Sequence, residues 1–242
     1  MSSSSCILSR SARVSASAAS SYPGSHRVLE YGAIVAFALL AAGLGVRIAG
    51  TRLPLGVFLV SAAAVLGYVL ADLLSGVVHW LFDTWWTERT PLVGRSFVQP
   101  FREHHTDPES ITQHDWVETN GNNCLGSLPL LIGAYFVPTA GFAGLFLVSL
   151  MLSVALGLLA TNQFHKWAHE PNPGELVKSL QRWHLILPAG HHRVHHESPH
   201  DTHYCITTGW LNPLVSATGA FRRIERIVER VAGAQPRREP DR

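Results

Sequence analysis

The sequence predicts an all-α integral membrane protein: four transmembrane helices under a cytoplasmic helical cap that holds a His-rich di-metal site. Three observations predict it. Long blocks of the chain carry no charge. Nearly all Lys and Arg fall where a four-span chain would keep one side. Most of the 14 His are bunched in pairs and triplets at the ends of the apolar blocks or between them. Of the 242 residues 47% are hydrophobic and only 15% charged, which is low for a globular domain. The formal net charge of +2 is too small to argue for nucleic acid as a partner.

Each element follows in order. Residues 1–28 are expected to form a disordered tail, Ser- and Ala-rich, with Arg10 and Arg13 and no acidic residue in the first 25. That composition also resembles a transit peptide, but a plain disordered tail is the preferred reading. No apolar segment of a secretory signal precedes Tyr31. Residues 29–242 then form a single membrane domain. A bilayer needs about 20 apolar residues per helix. Tyr31 to Val46 is apolar, with Arg47 placed to snorkel, and gives a span over about 31–50. Leu53 to Ala71 is 19 residues without a charge, the start of a span over about 53–80. Leu125 to Thr161 is 37 residues without a charge, too long for one span. Pro138-Thr139-Ala140-Gly141 breaks it into spans of about 122–137 and 140–165, the first one short. Last, residues 219–233 place Phe221, Ile224, Ile227, Val228 and Val231 on one stripe, with Arg and Glu on the rest. This is an amphipathic helix, equally suited to the membrane interface and to packing on the protein's own cap.

Charge sets orientation. All but Arg47 and Arg52 of the 19 Lys and Arg lie in the N-terminal tail, the central loop or the C-terminal third. With four spans those segments share one side, predicted to be cytoplasmic. Cys6, Cys124 and Cys205 form no CxxC pair, which fits reduced thiols there. The expected location is the endoplasmic reticulum in a eukaryote and the inner membrane in a bacterium.

The run His191-His192-Arg193-Val194-His195-His196 is the most informative segment. On a helix, 191/195 and 192/196 are i, i+4 pairs, so ring nitrogens can converge. His79 and Asp83, and His165 and His169, have the same spacing at the ends of two apolar blocks. His104-His105 and His114 lie in the central loop. A single metal takes three or four protein ligands, so this set suffices for two. Nearly all-imidazole ligation suits iron, zinc or copper. Many imidazoles at one membrane face are hard to satisfy without a cation. Asp83 and Asp107 could accept ring N–H groups and orient the ligands, though Asp107 before Pro108 is equally a turn former. His26 in the tail reads as irrelevant, His184 as an equal choice between core and function, and His200 and His203 as ordinary turn residues.

Taken together, His79 to Asp83, the segment Pro100 to Pro108, Glu118-Thr119-Asn120-Gly121-Asn122-Asn123-Cys124, Thr161 to His169, and the run from His191 to Asn212 resemble the plasmanylethanolamine desaturase family. The bacterial regulator of light-induced carotenoid synthesis belongs to that family. The match runs from about Ala71 to the C-terminal helix. The resemblance implies an oxygen-dependent lipid desaturase that converts the 1-O-alkyl chain of a plasmanyl phospholipid into the vinyl ether of a plasmalogen. Molecular oxygen and two electrons would be consumed, the electrons arriving from cytochrome b5 and its reductase or an equivalent donor. Two iron ions would be held by His79, His104, His105, His165, His169, His192, His195 and His196, with His191 as a ninth ligand. A sister branch, the chloroplast desaturase of palmitate in phosphatidylglycerol, shares those positions and Asp83 but lacks counterparts of His114 and His191. Having both, the chain sits with the plasmanyl branch. Asp83, Asp107 and His114 complete the candidate catalytic set.

Two other classes compete. A membrane metal-dependent hydrolase or hydroxylase would use the same His set with a catalytic Glu, for which Glu103 or Glu197 could serve. A metal transporter or signalling protein would carry polar ligands within its spans, and the uncharged blocks hold none.

Overall fold

The computed structural model describes residues 24–91, 93–94 and 98–237; most of the expected disordered tail and Cys6 lie outside the described residues. Three long helices dominate: α1 (Gly24–Gly50), α2 (Gly56–Thr84) and α5 (Phe142–His169), each long and apolar enough to cross a membrane. Their 27, 29 and 28 residues span ~40–44 Å at ~1.5 Å per residue, against ~30 Å of hydrocarbon. They therefore overhang the apolar layer, and the overhang is where α2 and α5 carry His. α4 (Trp116–Tyr135) is the helix expected to make the fourth span. It starts six residues earlier than expected, because Asp115 caps it: its carboxylate accepts the N–H of Val117 at 2.9 Å and of Glu118 at 3.0 Å. The extra residues bring in Glu118, Thr119 and Asn120, and Asn122 and Asn123 follow, so α4 is less apolar than the other three.

α2 packs on α5, α5 on α4, and α4 on α1, so the consecutive helices α1 and α2 stand at opposite ends of a row. Without a hydrophobic drive between helices in lipid, close approach of small residues holds such a row. At Gly157 of α5 an added Cβ would lie 2.5 Å from the Cβ of Ala71 in α2. On the other side of α5, Ala33, Phe37 and Leu44 interlock with Cys124, Leu131, Val148 and Ala155. Arg47, placed to snorkel, reaches the neighbouring helix end. Its guanidinium bonds the carbonyl of Val137 at 2.9 Å and those of Ala134 and Tyr135 more loosely, which caps the C-terminal end of α4 where the helix dipole favours a cation. His26 is corrected: it lies in the first turn of α1, with Nε2 3.7 Å from buried Glu30.

The shorter elements are α3 (Gln99–Thr106), a 3-10 turn (Ser110–Gln113), α6 (Glu175–Arg182), α7 (Ala189–Arg193), α8 (Asn212–Thr218) and α9 (Ala220–Ala232). α9 is the predicted amphipathic helix, and one of its edges packs on the end of α2: Phe221 stacks on Trp80 at 4.9 Å. Residues Tyr204 to Gly209 are buried and tied to α2. Asp72, which interrupts an otherwise apolar α2, accepts backbone N–H groups of Thr208 at 2.7 Å, Gly209 at 2.9 Å and Leu211 at 3.1 Å. Cys124 and Cys205 are free and buried, as expected of reduced thiols.

Candidate metal centre

The overhanging ends of α2 and α5, helix α3 and the segment on and after α7 bring eight His and one Asp together as two neighbouring groups. His104, His165, His169, His192 and His196 form the first, and His79, Asp83, His105 and His195 the second; within each group the ligand atoms lie within 4.8 Å of one another. Two pairs of adjacent residues are divided between the groups, His104 from His105 and His195 from His196. The groups touch: the rings of His195 and His196 are 5.5 Å apart, and those of His105 and His196 5.6 Å.

In the first group Nε2 of His192 lies 2.8 Å from Nε2 of His165 and 3.0 Å from that of His196, and Nε2 of His165 lies 3.2 Å from that of His169. In the second, Nε2 of His105 and His195 are 3.0 Å apart. Oδ2 of Asp83 lies 3.4 Å from Nε2 of His79 and 3.6 Å from those of His105 and His195. The carboxylate is thus among the converging atoms, not behind them as an outer acceptor.

Several backs of the rings are fixed by backbone. Nδ1 of His195 donates to the carbonyl of Thr202 at 2.7 Å, and Nδ1 of His79 to that of Tyr204 at 3.2 Å. A neutral imidazole that donates through Nδ1 offers a lone pair at Nε2. Such nitrogens facing one another cannot all be satisfied by sharing protons. The buried Nε2 of His104 has no hydrogen-bond partner among the described residues. Convergent lone pairs in a buried site fit a cation, and this donor set fits iron. Burial, reinforced by the crowd of neighbouring imidazoles, pushes His104, His192 and His195 well below the usual histidine range. Burial, with His200 next, lowers His105 to about 3 and His196 to about 4. All five are therefore neutral at pH 7, the form that binds metals.

Three sequence candidates fall outside both groups. His191 is the displaced ninth ligand: its Nε2 accepts from Nδ2 of Asn212 at 3.0 Å and its ring meets His203 at 4.8 Å. It falls outside because neighbouring residues on α7 point about 100° apart, so that His191 faces Asn212 while His192 enters the first group. His114 has a 42% exposed side chain 3.6 Å from Glu118. Asp107 is exposed and ends α3, its backbone carbonyl accepting from Ser110. His200, read as an ordinary turn residue, stacks on His105 at 4.6 Å and 10°. The sequence reading passed over Asp72 and Asn212. Asn212 bonds both the N–H and the carbonyl of Cys205 besides His191. A lone carboxylate inside an apolar block was the available signal for Asp72. The Glu118 to Cys124 segment supplies a polar seam to α5: Nδ2 of Asn162 donates to Thr119 and Asn123 at 3.1 Å each, and Asn123 to the Leu158 carbonyl at 2.6 Å. The seam braces the last turns of α5, which carry His165 and His169.

Comparison with known proteins points the same way. Residues 68–239 match the lipid desaturase domain, which takes in every residue of both groups. Over 221 residues, 91% of this chain and 78% of the relative, the sequence is 45% identical to plasmanylethanolamine desaturase of Myxococcus xanthus. Over 185 residues, 74% of this chain and 68% of the relative, it is 45% identical to plasmanylethanolamine desaturase 1 of Mus musculus. Chloroplastic fatty acid desaturase 4 of Arabidopsis thaliana is 32% identical over 174 residues, 71% of this chain and 52% of its own length. No solved structure matches the chain.

Proposed function

The chain belongs to the lipid desaturase family, and we propose that it forms the vinyl-ether double bond of plasmalogens from 1-O-alkyl (plasmanyl) phospholipids. It is a membrane oxidoreductase that acts on lipid. The observation that carries the substrate is the 45% identity to two plasmanylethanolamine desaturases, set against 32% to the chloroplast enzyme. The reaction would take R–O–CH2–CH2–R′, O2, two electrons and two protons to R–O–CH=CH–R′ and two waters.

In this reading two irons are held, one by His104, His165, His169, His192 and His196, the other by His79, Asp83, His105 and His195. Iron bound there supplies, with dioxygen, the oxidising power to break an unactivated C–H bond. The protein's part is to hold neutral imidazoles with their Nε2 atoms convergent, to orient His79 and His195 through backbone carbonyls, and to exclude water around His192 and His195, which are 1% and 0% exposed. Asp83 contributes the lone carboxylate. His191 serves through Asn212 as a brace, and His114 and Asp107 stand outside the chemistry. A hydrolytic reading needs a Glu beside the ligands. Glu103 and Glu197 are both exposed, Glu103 bonded to Gln99, and among the described residues no Glu joins either group.

The topology proposed with it has α4 as a fourth span, both termini and the metal centre on the cytoplasmic side, and electrons delivered there by cytochrome b5 or an equivalent donor. The test is expression in cells that contain alkyl-ether lipids but lack plasmalogens, followed by lipid mass spectrometry. Acid-labile vinyl ethers should appear with the wild-type chain and be lost with His195→Ala. A trans double bond in phosphatidylglycerol instead, or vinyl ether that persists in the variant, would overturn the reading.

A further inference from the structure

Helix α9 has three faces: one packs on the protein, a cationic one touches it at its border, where Arg222 pairs with Asp201 at 2.5 Å, and one is an exposed apolar edge. At about 100° per residue, Phe221, Glu225 and Val228 share the inner face. Phe221 is buried against Trp80, and Glu225 accepts the indole N–H of Trp80 at 2.8 Å. Rotation one way brings Arg222, Arg226 and Arg230, with Arg223 beyond them. Rotation the other way brings Ile224, Ile227 and Val231, which are 42%, 58% and 83% exposed. Arg223 borders that apolar edge. Inner face, cationic face and exposed apolar edge are the arrangement of a helix wedged between a protein and a lipid surface.

The depth of its anchor agrees. Trp80 lies 24 residues beyond Gly56, the start of α2, or ~36 Å along the helix. The hydrocarbon layer is ~30 Å thick, so a membrane-crossing α2 carries Trp80 at the level of the lipid headgroups. The stack on Trp80 fixes α9 at that same level.

We propose that α9 lies along the membrane surface, with Ile224, Ile227 and Val231 in the boundary between headgroups and tails and Arg223, Arg226 and Arg230 on the phosphates of anionic lipids. The same helix packs Phe221 on Tyr204 at 5.5 Å, and Tyr204 on His195 at 5.3 Å, so the lipid surface and the second metal group share one contact chain. The inference rests on α2 crossing the bilayer and not on the reaction, so it is tested without activity.

The experiment uses the full chain carrying Cys6→Ser, since Cys124 and Cys205 are buried. An environment-sensitive fluorophore is placed at Ile227→Cys, at Val231→Cys on the same edge, and at Arg226→Cys on the cationic face. Each is reconstituted into vesicles of phosphatidylcholine alone and of phosphatidylcholine mixed with phosphatidylglycerol. Labels at 227 and 231 should emit to the blue and be quenched several-fold more strongly by nitroxide-bearing lipids than the label at 226, which aqueous iodide should quench. Adding phosphatidylglycerol should deepen the shift, and Arg223→Gln should reverse that gain. Water-like emission and equal iodide quenching at 227, 231 and 226 would overturn the proposal. Blue emission insensitive to nitroxide lipids would also overturn it, by showing a protein cover. Identical behaviour in the two vesicles would overturn the part played by anionic lipid.

Discussion

His104 and His105 are neighbours in sequence but feed different groups, so their alanine variants should lose metal unequally. The first group has five imidazoles, and without His104 four remain. The second has three imidazoles and one carboxylate, and without His105 only three ligands remain. Four-ligand structural zinc sites bind with ~10–16 kcal/mol, or ~3 kcal/mol per ligand, and iron is taken on the same scale. At 1.4 kcal/mol per tenfold, that is about two orders of magnitude in affinity for the loss of one ligand. His105→Ala is therefore expected to keep about one iron per chain through dialysis against a mild chelator, and His104→Ala about two, since four ligands are a full set. Iron by mass spectrometry against protein by amino-acid analysis measures this, and Mössbauer spectra identify which site survives. Turnover should fall in both variants. If the two lose iron in parallel, or if His105→Ala keeps both irons, the division of adjacent histidines between two metals is wrong.

Three more perturbations test the supports. Asp72→Asn removes the acceptor for the Leu211 N–H and turns two charge-assisted bonds into neutral ones; at ~1–3 kcal/mol for an orphaned buried donor and about 1 more for the lost charge assistance, it should lower the thermal midpoint and the iron occupancy of the His79 group, and an unchanged melting curve would show that the Tyr204–Gly209 segment holds without it. His191→Ala should retain wild-type iron because its Nε2 bonds Asn212, and a stoichiometric loss of one iron would return it to the ligand set. For topology, single cysteines near Ser198 and in the 85–91 segment should be labelled from the same side of sealed vesicles, and labelling from opposite sides would dismiss the four-span arrangement.

Much of the metal centre was legible because metal ligation has a spacing. Pairs at i, i+4 on helices appear as such in the chain, and His79/Asp83 and His165/His169 needed no tertiary information. The assignment of ligands to two groups did not appear there. It depends on which way α7 faces, which turns His191 toward Asn212 and His192 into the centre, and on how the chain turns after Arg193, which sends His195 and His196 apart. The apolar blocks announced α1, α2 and α5, since length and lack of charge are sequence properties. The polar start of α4 was hidden, because Asn and Thr side chains that bond α5 look like loop residues until the partner helix is present. Asp72 was hidden for a related reason. Its partners are backbone N–H groups more than a hundred residues away, and backbone groups leave no mark in sequence.

The height of the centre bears on which carbons it can reach. His79 and His165 each lie 23 residues beyond the first residue of α2 and α5, Gly56 and Phe142, or ~35 Å along each helix. Asp83 and His169 follow four residues later on both. The two helices pack on each other and each follows a short connection, residues 51–55 and 136–141, so the ligand pairs sit at one level. That level is about one turn beyond a hydrocarbon layer of ~30 Å. A lipid whose headgroup stays in the interface presents the first carbons of its chain there with little displacement. A double bond at mid-chain would require that much more tail to be drawn upward, out of the hydrocarbon and against the hydrophobic effect. The depth therefore favours the carbons next to the glycerol oxygen, as a vinyl ether requires. Fragmentation mass spectrometry of the product locates the double bond, and a mid-chain position would mean that the tail enters by a route other than direct rise from the leaflet.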